Sequence, residues 1–473
     1  MKSANFHFTQ DMIFYTWRQL ALRAGIEDFS QTDVQVQCCG VPLYYGFPDQ
    51  IPSTGKKIVV IPCQERDWLE LIHRPPGSID WILPEAALPN GVTLPFDYSI
   101  PVIFWGNSTS RRKIAEYDGK GTLLFHVDIL ATVFFMLSRW EEINPPYNDE
   151  HGRFPASASV AYKQGFLDIP IVDLYGLLLR EWLKVIIPNW NPPPLRLKIN
   201  LTHDIDWIHH FTGPWHFARA AGVALLKQKK PGKFLRQFKN LYTQMTAPMQ
   251  DEYIRSIYRL ADHSEAYGFS SRFYIMAADA DRYQAGYDPA DPGLRQCLEN
   301  LRQRGHEIGV HPGYSTLENP AQLITEKQRL EKALGQTIFG GRQHFLRFHV
   351  PSTWRHWEMA GLLYDSSMGY AQYAGFRCGT CHPYHPFDVE QGKEMKIQEI
   401  PLIVMDGSLL HYQKLSAQEG KNRILMLARQ CAAVGGVFTM LWHNTSFSED
   451  WLEWGLLYPE ILNDLSKMAN PYV

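Results

Sequence analysis

From Leu195 onward the chain alternates between two hydrophobic periods. Short apolar runs mark buried strands, and apolar residues three and four apart mark helices. The strand-like runs are Leu195–Asn200 (LRLKIN), Arg272–Met276 (RFYIM), Glu307–Val310 (EIGV), the stretch HFLRF from His344, Ile397–Val404 (IQEIPLIV) and Val437–Trp442 (VFTMLW). Helical patterns lie between them. Ile254, Ile257, Tyr258 and Ala261 share one face within Asp251–Tyr267, and Leu294, Cys297, Leu298 and Leu301 mark another helix. Further helices are expected at Ala321–Leu334, from Thr353, at Ser416–Ala433 and at Glu449–Met468. Strands alternating with helices imply a parallel sheet. Roughly seven βα units in about 275 residues suit a barrel better than an open sheet. No internal repeat is evident.

Residues 1–190 read as mixed α/β. Lys57–Cys63 (KIVVIPC) and Pro101–Trp105 (PVIFW) look like short buried strands, and Asp128–Trp140 like a mostly buried helix. Pro188–Arg196 (PNWNPPPLR) cannot propagate a helix, because its prolines lack the N–H donor and hold the chain extended. A linker is therefore expected there, between an N-terminal α/β domain (1–190) and a second domain (197–473). Within the first, LSRWEE and HGRFPASAS read as packing and turn chemistry.

Composition narrows the class. Of 473 residues, 45% are hydrophobic and 20% charged, as in a globular protein. A formal net charge of −3 argues against a general nucleic-acid binder. The 14 Trp and 23 Tyr supply flat faces for a core or for sugar stacking. The start, MKSANFHFTQDMIFYTW, lacks an apolar run behind a basic head, and no segment approaches the roughly 20 apolar residues of a membrane span. Seven irregularly spaced Cys suit a reducing compartment, so a cytoplasmic location is expected. One insertion, Leu225–Lys239 (LLKQKKPGKFLRQFK), carries Lys227, Lys229, Lys230, Lys233, Arg236 and Lys239. It reads as a solvated face or as a contact for an anionic glycan or lipid phosphate.

Candidate chemistry gathers at expected strand ends. Asp204 and Asp206 follow the first strand of the barrel pattern, His311 follows EIGV, His344 and Arg347 flank FL, and His443 follows VFTMLW. In a parallel barrel those ends meet on one face. Carboxylate and imidazole are the usual ligands of Zn²⁺ or a similar divalent ion. One Asp with two His leaves positions open for water and substrate. A second carboxylate can take the water's proton, and a His opposite can protonate a leaving amine, which is metal-assisted hydrolysis.

THDID (Thr202–Asp206), GHEIGVH (Gly305–His311) and LWH (Leu441–His443) resemble the first, second and fifth motifs of the polysaccharide deacetylases, carbohydrate esterase family 4 with its NodB-homology domain. The resemblance covers about residues 197–470. RQHFLRF, YDSSMGY, GFRCGTCHPYHPFD and EIPLIVMDG are similar to a bacterial subgroup in which such a domain follows an N-terminal α/β domain. It implies a distorted (β/α)7 barrel and a divalent metal, most often zinc, that serves to remove acetyl groups from sugars. It further implies Asp204 as base, Asp206 as metal ligand and His443 as general acid. An alternating strand end puts Asp204 and Asp206 on one side. His311 matches the first His of the second motif, but the partner position holds Ser315, whose hydroxyl poorly replaces imidazole. His344 is the expected replacement, with His349 as the alternative. His306 reads as structural. Arg347, near Pro351, resembles the third-motif arginine that orients the base, or else forms a surface ion pair. Asp365 and Asp406 either orient site groups or cap turns.

Other motifs compete. CGTCH (Cys378–His382) matches a haem-attachment pattern, but a local structural role is expected. HNTS from His443 holds a glycosylation-like triplet at Asn444. No Gly-rich phosphate loop argues for a nucleotide. Three functions follow: a metal-dependent deacetylase of an acetylated sugar or polysaccharide, a catalytically impaired glycan-binding protein on that scaffold, and a hydrolase of other non-peptide C–N bonds.

Overall fold

The computed structural model describes residues 8–31, 36–107, 111–143, 145–211, 214–227, 231–247, 250–447 and 451–470. Of the basic insertion, Lys229 and Lys230 lie outside the described residues, as do the side chains of Lys227, Lys233 and Arg236.

The first half builds a mixed sheet from β1 (Phe29–Gln31), β2 (Val36–Cys38), β3 (Val41–Tyr45), β4 (Lys57–Val60), β5 (Ala115–Tyr117) and β6 (Thr122–Phe125), in the order β1-β2-β3-β4-β6-β5. The inner pairs, β3 with β4 and β4 with β6, run parallel, and the outer ones antiparallel. Helices α1 (Gln10–Ala24), α2 (Ile129–Leu137) and α3 (Ile171–Ile186) belong to this half. The expected helix at Asp128 is present as α2, with Asp128 as N-cap accepting from Ala131 N. Every residue of α2 is buried, so its apolar content all round is a consequence of its central place. The expected strand at Pro101–Trp105 is shorter, Ile100–Val102, paired with Asp80–Ile82.

The second half contains an eight-stranded, all-parallel sheet consistent with a TIM-like barrel. Its strands are β7 (Lys198–Ile205), β8 (Ser271–Met276), β9 (Glu307–His311), β10 (Gly340–Gly341), β11 (Tyr364–Asp365), β12 (Gln398–Glu399), β13 (Val404–Met405) and β14 (Val437–Leu441). The order is β12-β11-β10-β9-β8-β7-β14-β13. The two edge strands belong to one extended segment. Its first part bonds to β11 through Ile400 N to Asp365 O (2.8 Å), and its second to the β14 side through Ile403 N to Thr439 O (3.1 Å). Pro401, between them, has no N–H to give, so the expected single strand Ile397–Val404 is divided there.

HFLRF is not a strand. His344–Leu346 forms a 3-10 turn, and the strand comes earlier, at Gly340–Gly341. No side-chain alternation announces a Gly-Gly strand. The glycine is required by contact: a Cβ on Gly341 would lie 1.8 Å from Val310 O.

Residues 191–196 are irregular and mostly exposed. Packing nevertheless continues across them. One cluster of buried apolar side chains extends from Met12 to Leu465. Buried polar pairs cross as well. Arg377 Nη2 lies 2.6 Å from Glu142 Oε2, and Arg139 Nη2 donates to Tyr370 Oη at 3.2 Å. Arg423 pairs with Asp168. CGTCH belongs to this seam. Asp173 of α3 accepts from Cys381 N (2.8 Å), Cys381 Sγ (3.3 Å) and Thr380 Oγ1 (2.5 Å), while Arg23 Nε at 2.7 Å balances its charge.

These contacts generate a prediction about the chain boundary. A protease site inserted between Pro194 and Leu195 is cut readily, and the fragments 1–194 and 195–473 then co-elute in size exclusion. In the intact chain, Glu142→Ala leaves Arg377 buried without its anion and lowers unfolding stability by about 3–5 kcal/mol in urea titration.

Candidate active site

The strand β7 turns alternate side chains to opposite sides. Thr202, Asp204 and then Asp206 share one side. His203 points the other way, where it is buried with Nδ1 donating to Trp442 O (2.7 Å) and Nε2 near Ser271 Oγ (3.2 Å). Burial drives His203 down to about 3, so it is neutral packing.

Around Asp206 the structure gathers residues from four strand ends. His311, the last residue of β9, places Nε2 3.3 Å from Asp206 Oδ1 and 3.8 Å from Asp204 Oδ2. His344, after β10, places Nε2 3.5 Å from Asp206 Oδ1. His443, after β14, places Nε2 3.8 Å from Asp206 Oδ2. One ligand atom each of Asp206, His311 and His344 lies within 4.8 Å of the others. Asp206 Oδ1 is enclosed and makes no hydrogen bond. An orphaned, enclosed carboxylate oxygen facing two imidazole nitrogens is the chemistry a divalent cation satisfies.

Hydrogen bonds behind the rings aim them. His311 Nδ1 donates to Arg342 O at 2.7 Å, which aims Nε2 at Asp206. His443 Nδ1 is 2.6 Å from Asp406 Oδ1, and Asp406 Oδ2 accepts from His443 N (2.8 Å) and Ser446 Oγ (2.7 Å). Asp406 therefore orients His443 instead of merely capping a turn.

Electrostatics separates the three imidazoles. Burial lowers His344 to about 3, so it is a neutral donor of a lone pair. Burial also works against protonation of His311, but the anions Asp204 and Asp206 outweigh it and hold His311 above its usual range. His443 is pushed up to about 10, burial being outweighed by Asp406 and then by Asp206 and Asp204. Burial would raise Asp206, yet contact with His311 and the nearby His344 and His443 hold it well below the usual carboxylate range. The anions at the cluster thus favour positive charge on the imidazoles His311 and His443.

The arginine beside Asp204 is Arg342, not Arg347. Arg342 is fully buried and donates through Nη1 to Asp204 Oδ1 (3.0 Å) and Thr202 Oγ1 (2.8 Å). Its Nε and Nη2 hold Ser366 O (2.7 Å) and Ser366 Oγ (3.0 Å). Arg347 instead pairs with Glu318, donates to His151 O (2.7 Å) and Tyr314 O, and lies over the Tyr314 ring at 3.8 Å. The sequence signal for Arg342 was its place directly after the Gly-Gly strand, two residues before His344. The resemblance of Arg347, near Pro351, to the third-motif arginine does not place it beside Asp204.

Other candidates fall outside the cluster. Ser315 Oγ donates to Gln322 Oε1 at 2.9 Å. His349 is exposed, with Nε2 3.1 Å from Gly152 O. His306 Nδ1 accepts from Ser271 N (3.0 Å), a packing role. Asp365 accepts from Ser367 N and Oγ beside Glu399, and burial holds both carboxyls above the usual range. Asn444 is buried and donates to Trp207 O at 2.7 Å. Asp173, Cys381 and His382 also bring ligand atoms within 4.8 Å, but Arg23 already neutralises that carboxylate.

HGRFPASAS contributes to the site, although it read as turn chemistry. Arg153 reaches across to donate through Nη1 to Phe345 O (2.9 Å), while its Nε is held by Asp149 Oδ2 (2.8 Å). His151 O and Gly152 O meet Arg347 and His349 in the same way. The turn they clasp is strained: Phe345 (φ 60°) and Leu346 (φ 53°) are consecutive left-handed residues directly after His344. A short loop of the first half thus holds the turn that carries one candidate ligand.

Two clefts open onto the cluster. One, of ≈ 620 Å³, is lined by Asp206, Trp207, Arg219, Tyr283, His344 and Phe345 among others. The second, of ≈ 330 Å³, is lined by Arg153, Asp204, His311, His443, Tyr412 and Trp451 among others. Aromatic faces beside polar groups suit a polyhydroxylated ligand.

Residues 82–188 match a family of unknown function (DUF7033). No curated protein matches the chain. Among solved structures, a candidate polysaccharide deacetylase from Mycobacterium smegmatis is similar at 15% identity, over 59% of this chain and 87% of that one, with a TM-score of 0.37. The Xyl-CE4 domain of a multidomain xylanase from the hindgut metagenome of Trinervitermes trinervoides is similar at 10% identity, over 58% and 85%, with a TM-score of 0.29. A 4-alpha-glucanotransferase from Thermococcus litoralis is similar at 12% identity, over 59% of this chain and 38% of that one, with a TM-score of 0.32.

The geometry assigns different outcomes to two neighbouring histidines. Elemental analysis after dialysis against zinc should show His344→Ala losing most bound metal and His349→Ala retaining it. Equal loss in both would contradict the ligand set.

Proposed function

We propose that this chain is a metal-dependent hydrolase that removes acetyl groups from an N-acetylated sugar or polysaccharide. The observation that carries the reading is the arrangement around one orphaned oxygen: Asp206, His311 and His344 converge, with Asp204 and His443 beside them. Zinc or a similar divalent ion held by those three would supply Lewis acidity and lower the pKa of water. His344 provides the nitrogen that Ser315 cannot, which favours an active enzyme over an impaired binding protein.

The chain's own groups divide the proton work. Asp204 faces the cluster with one oxygen held by Arg342, leaving Oδ2 to accept a proton from the attacking water. His443 is cationic at neutral pH and hands its Nε2 proton to the nitrogen of the breaking C–N bond. Oxygen from water joins the acyl carbon, so acetate and a free amine leave. Asp406 keeps the imidazolium charged and its Nε2 aimed inward. The aromatic and polar cleft walls bind the sugar.

The pH dependence has a definite sign. The acid form of His443 is required, and it is lost as pH rises through its pKa. Asp406→Asn removes the anion that raises that pKa, so the alkaline limb of the acetate-release profile moves to lower pH while metal content is unchanged. Asp204→Asn keeps its metal and loses roughly 10²–10⁴-fold in rate. A metal-loaded Asp204→Asn protein with near-normal acetate release would refute this mechanism.

A further inference from the structure

The insertion between β7 and β8 is amphipathic in the reverse sense. It holds helices α4 (Pro214–Gly222) and α5 (Pro231–Thr246). On α5 two glutamines, Gln237 and Gln244, face the body. Gln237 Oε1 lies 3.1 Å from His210 Nε2, and Gln244 bonds both the N–H (3.0 Å) and the carbonyl (2.7 Å) of Phe211. The outward residues are apolar. Leu235, Tyr242 and Met245, at i, i+7 and i+10, are between 68% and 76% exposed, and Phe238, 47% exposed at i+3, also meets the Phe217 ring of α4 edge-on at 4.9 Å. Leu226, in the preceding turn, is 78% exposed. A surface helix of a globular protein ordinarily turns such a stripe inward.

Charge is one-sided as well. Between Asp206 and Asp251 the sequence has seven Lys and Arg and no Asp or Glu, in a chain whose net charge is −3. We propose that this insertion docks the protein onto the surface of an anionic phospholipid bilayer. The apolar stripe enters the boundary between headgroups and acyl chains, and the cations that the insertion carries in sequence meet lipid phosphates. A soluble polyanion would engage the cations but leave the stripe in water. A second copy on a twofold axis would set like charges against each other. No helix among the described residues is long and apolar enough to cross a membrane, so the insertion lies on the bilayer without spanning it. Arg219 of α4 lines the cleft beside Asp206 and His344, so docking brings that cleft to the bilayer surface.

The test uses the full chain and no sugar, so its failure leaves the hydrolase reading untouched, and failure of acetate release leaves docking untouched. Co-sedimentation compares phosphatidylcholine vesicles with vesicles containing about one third phosphatidylglycerol. The anionic vesicles should hold the protein roughly tenfold more tightly, and salt raised from about 0.05 to 0.5 M should release it. The Leu235→Asp/Met245→Asp double variant should weaken binding roughly tenfold, and Lys239→Glu, a fully surface change, roughly fivefold. Equal binding to both vesicles, no binding, or variants that bind like the parent would overturn the proposal. So would retention on heparin without vesicle binding, or a solution dimer that the double variant dissolves.

Discussion

Two carboxylates at the end of one buried strand are stable only if cations meet them, because desolvated charge without a partner is costly. Asp204 and Asp206 pose that problem at the end of β7. Arg342 answers it for Asp204 at 3.0 Å. Three imidazoles, those of His311, His344 and His443, surround Asp206. The rest of the site follows from this balance. His443 is cationic because anions face it, and His344 is neutral because burial dominates there.

Arg342 couples the two halves of the chemistry. Its guanidinium holds the candidate base, and its carbonyl fixes the tautomer of a candidate ligand, His311. A small displacement of this one residue would therefore move both Asp204 and His311. The glycine pair before it lets β10 pass close to β9, so the arginine emerges at the right depth.

The first half of the chain is structurally bound to this site. His151, Gly152 and Arg153, the last held by Asp149, grip the segment after His344. Glu142, Asp168 and Asp173 pair with arginines and the CGTCH loop across the seam. A backbone held in two consecutive left-handed conformations persists only when its surroundings over-determine it. The loop from the first half supplies part of that determination.

Local chemistry in the sequence already determined much. Hydrophobic periods marked the long strands and helices, the proline run marked an exposed connection, and strand-end Asp and His residues marked the candidate cluster. These signals are local, since period, proline geometry and strand alternation act within a few residues. Only the tertiary structure decided the rest. Arg342 over Arg347, His344 over His349, Asp406 behind His443 and Arg153 on the site turn depend on where short strands stop. Those strands, Gly340–Gly341 and the segment divided at Pro401, are set by contacts with neighbouring strands and carry too few side chains to show a period. The joining of both halves into one core is likewise a matter of long-range burial, which no local pattern records.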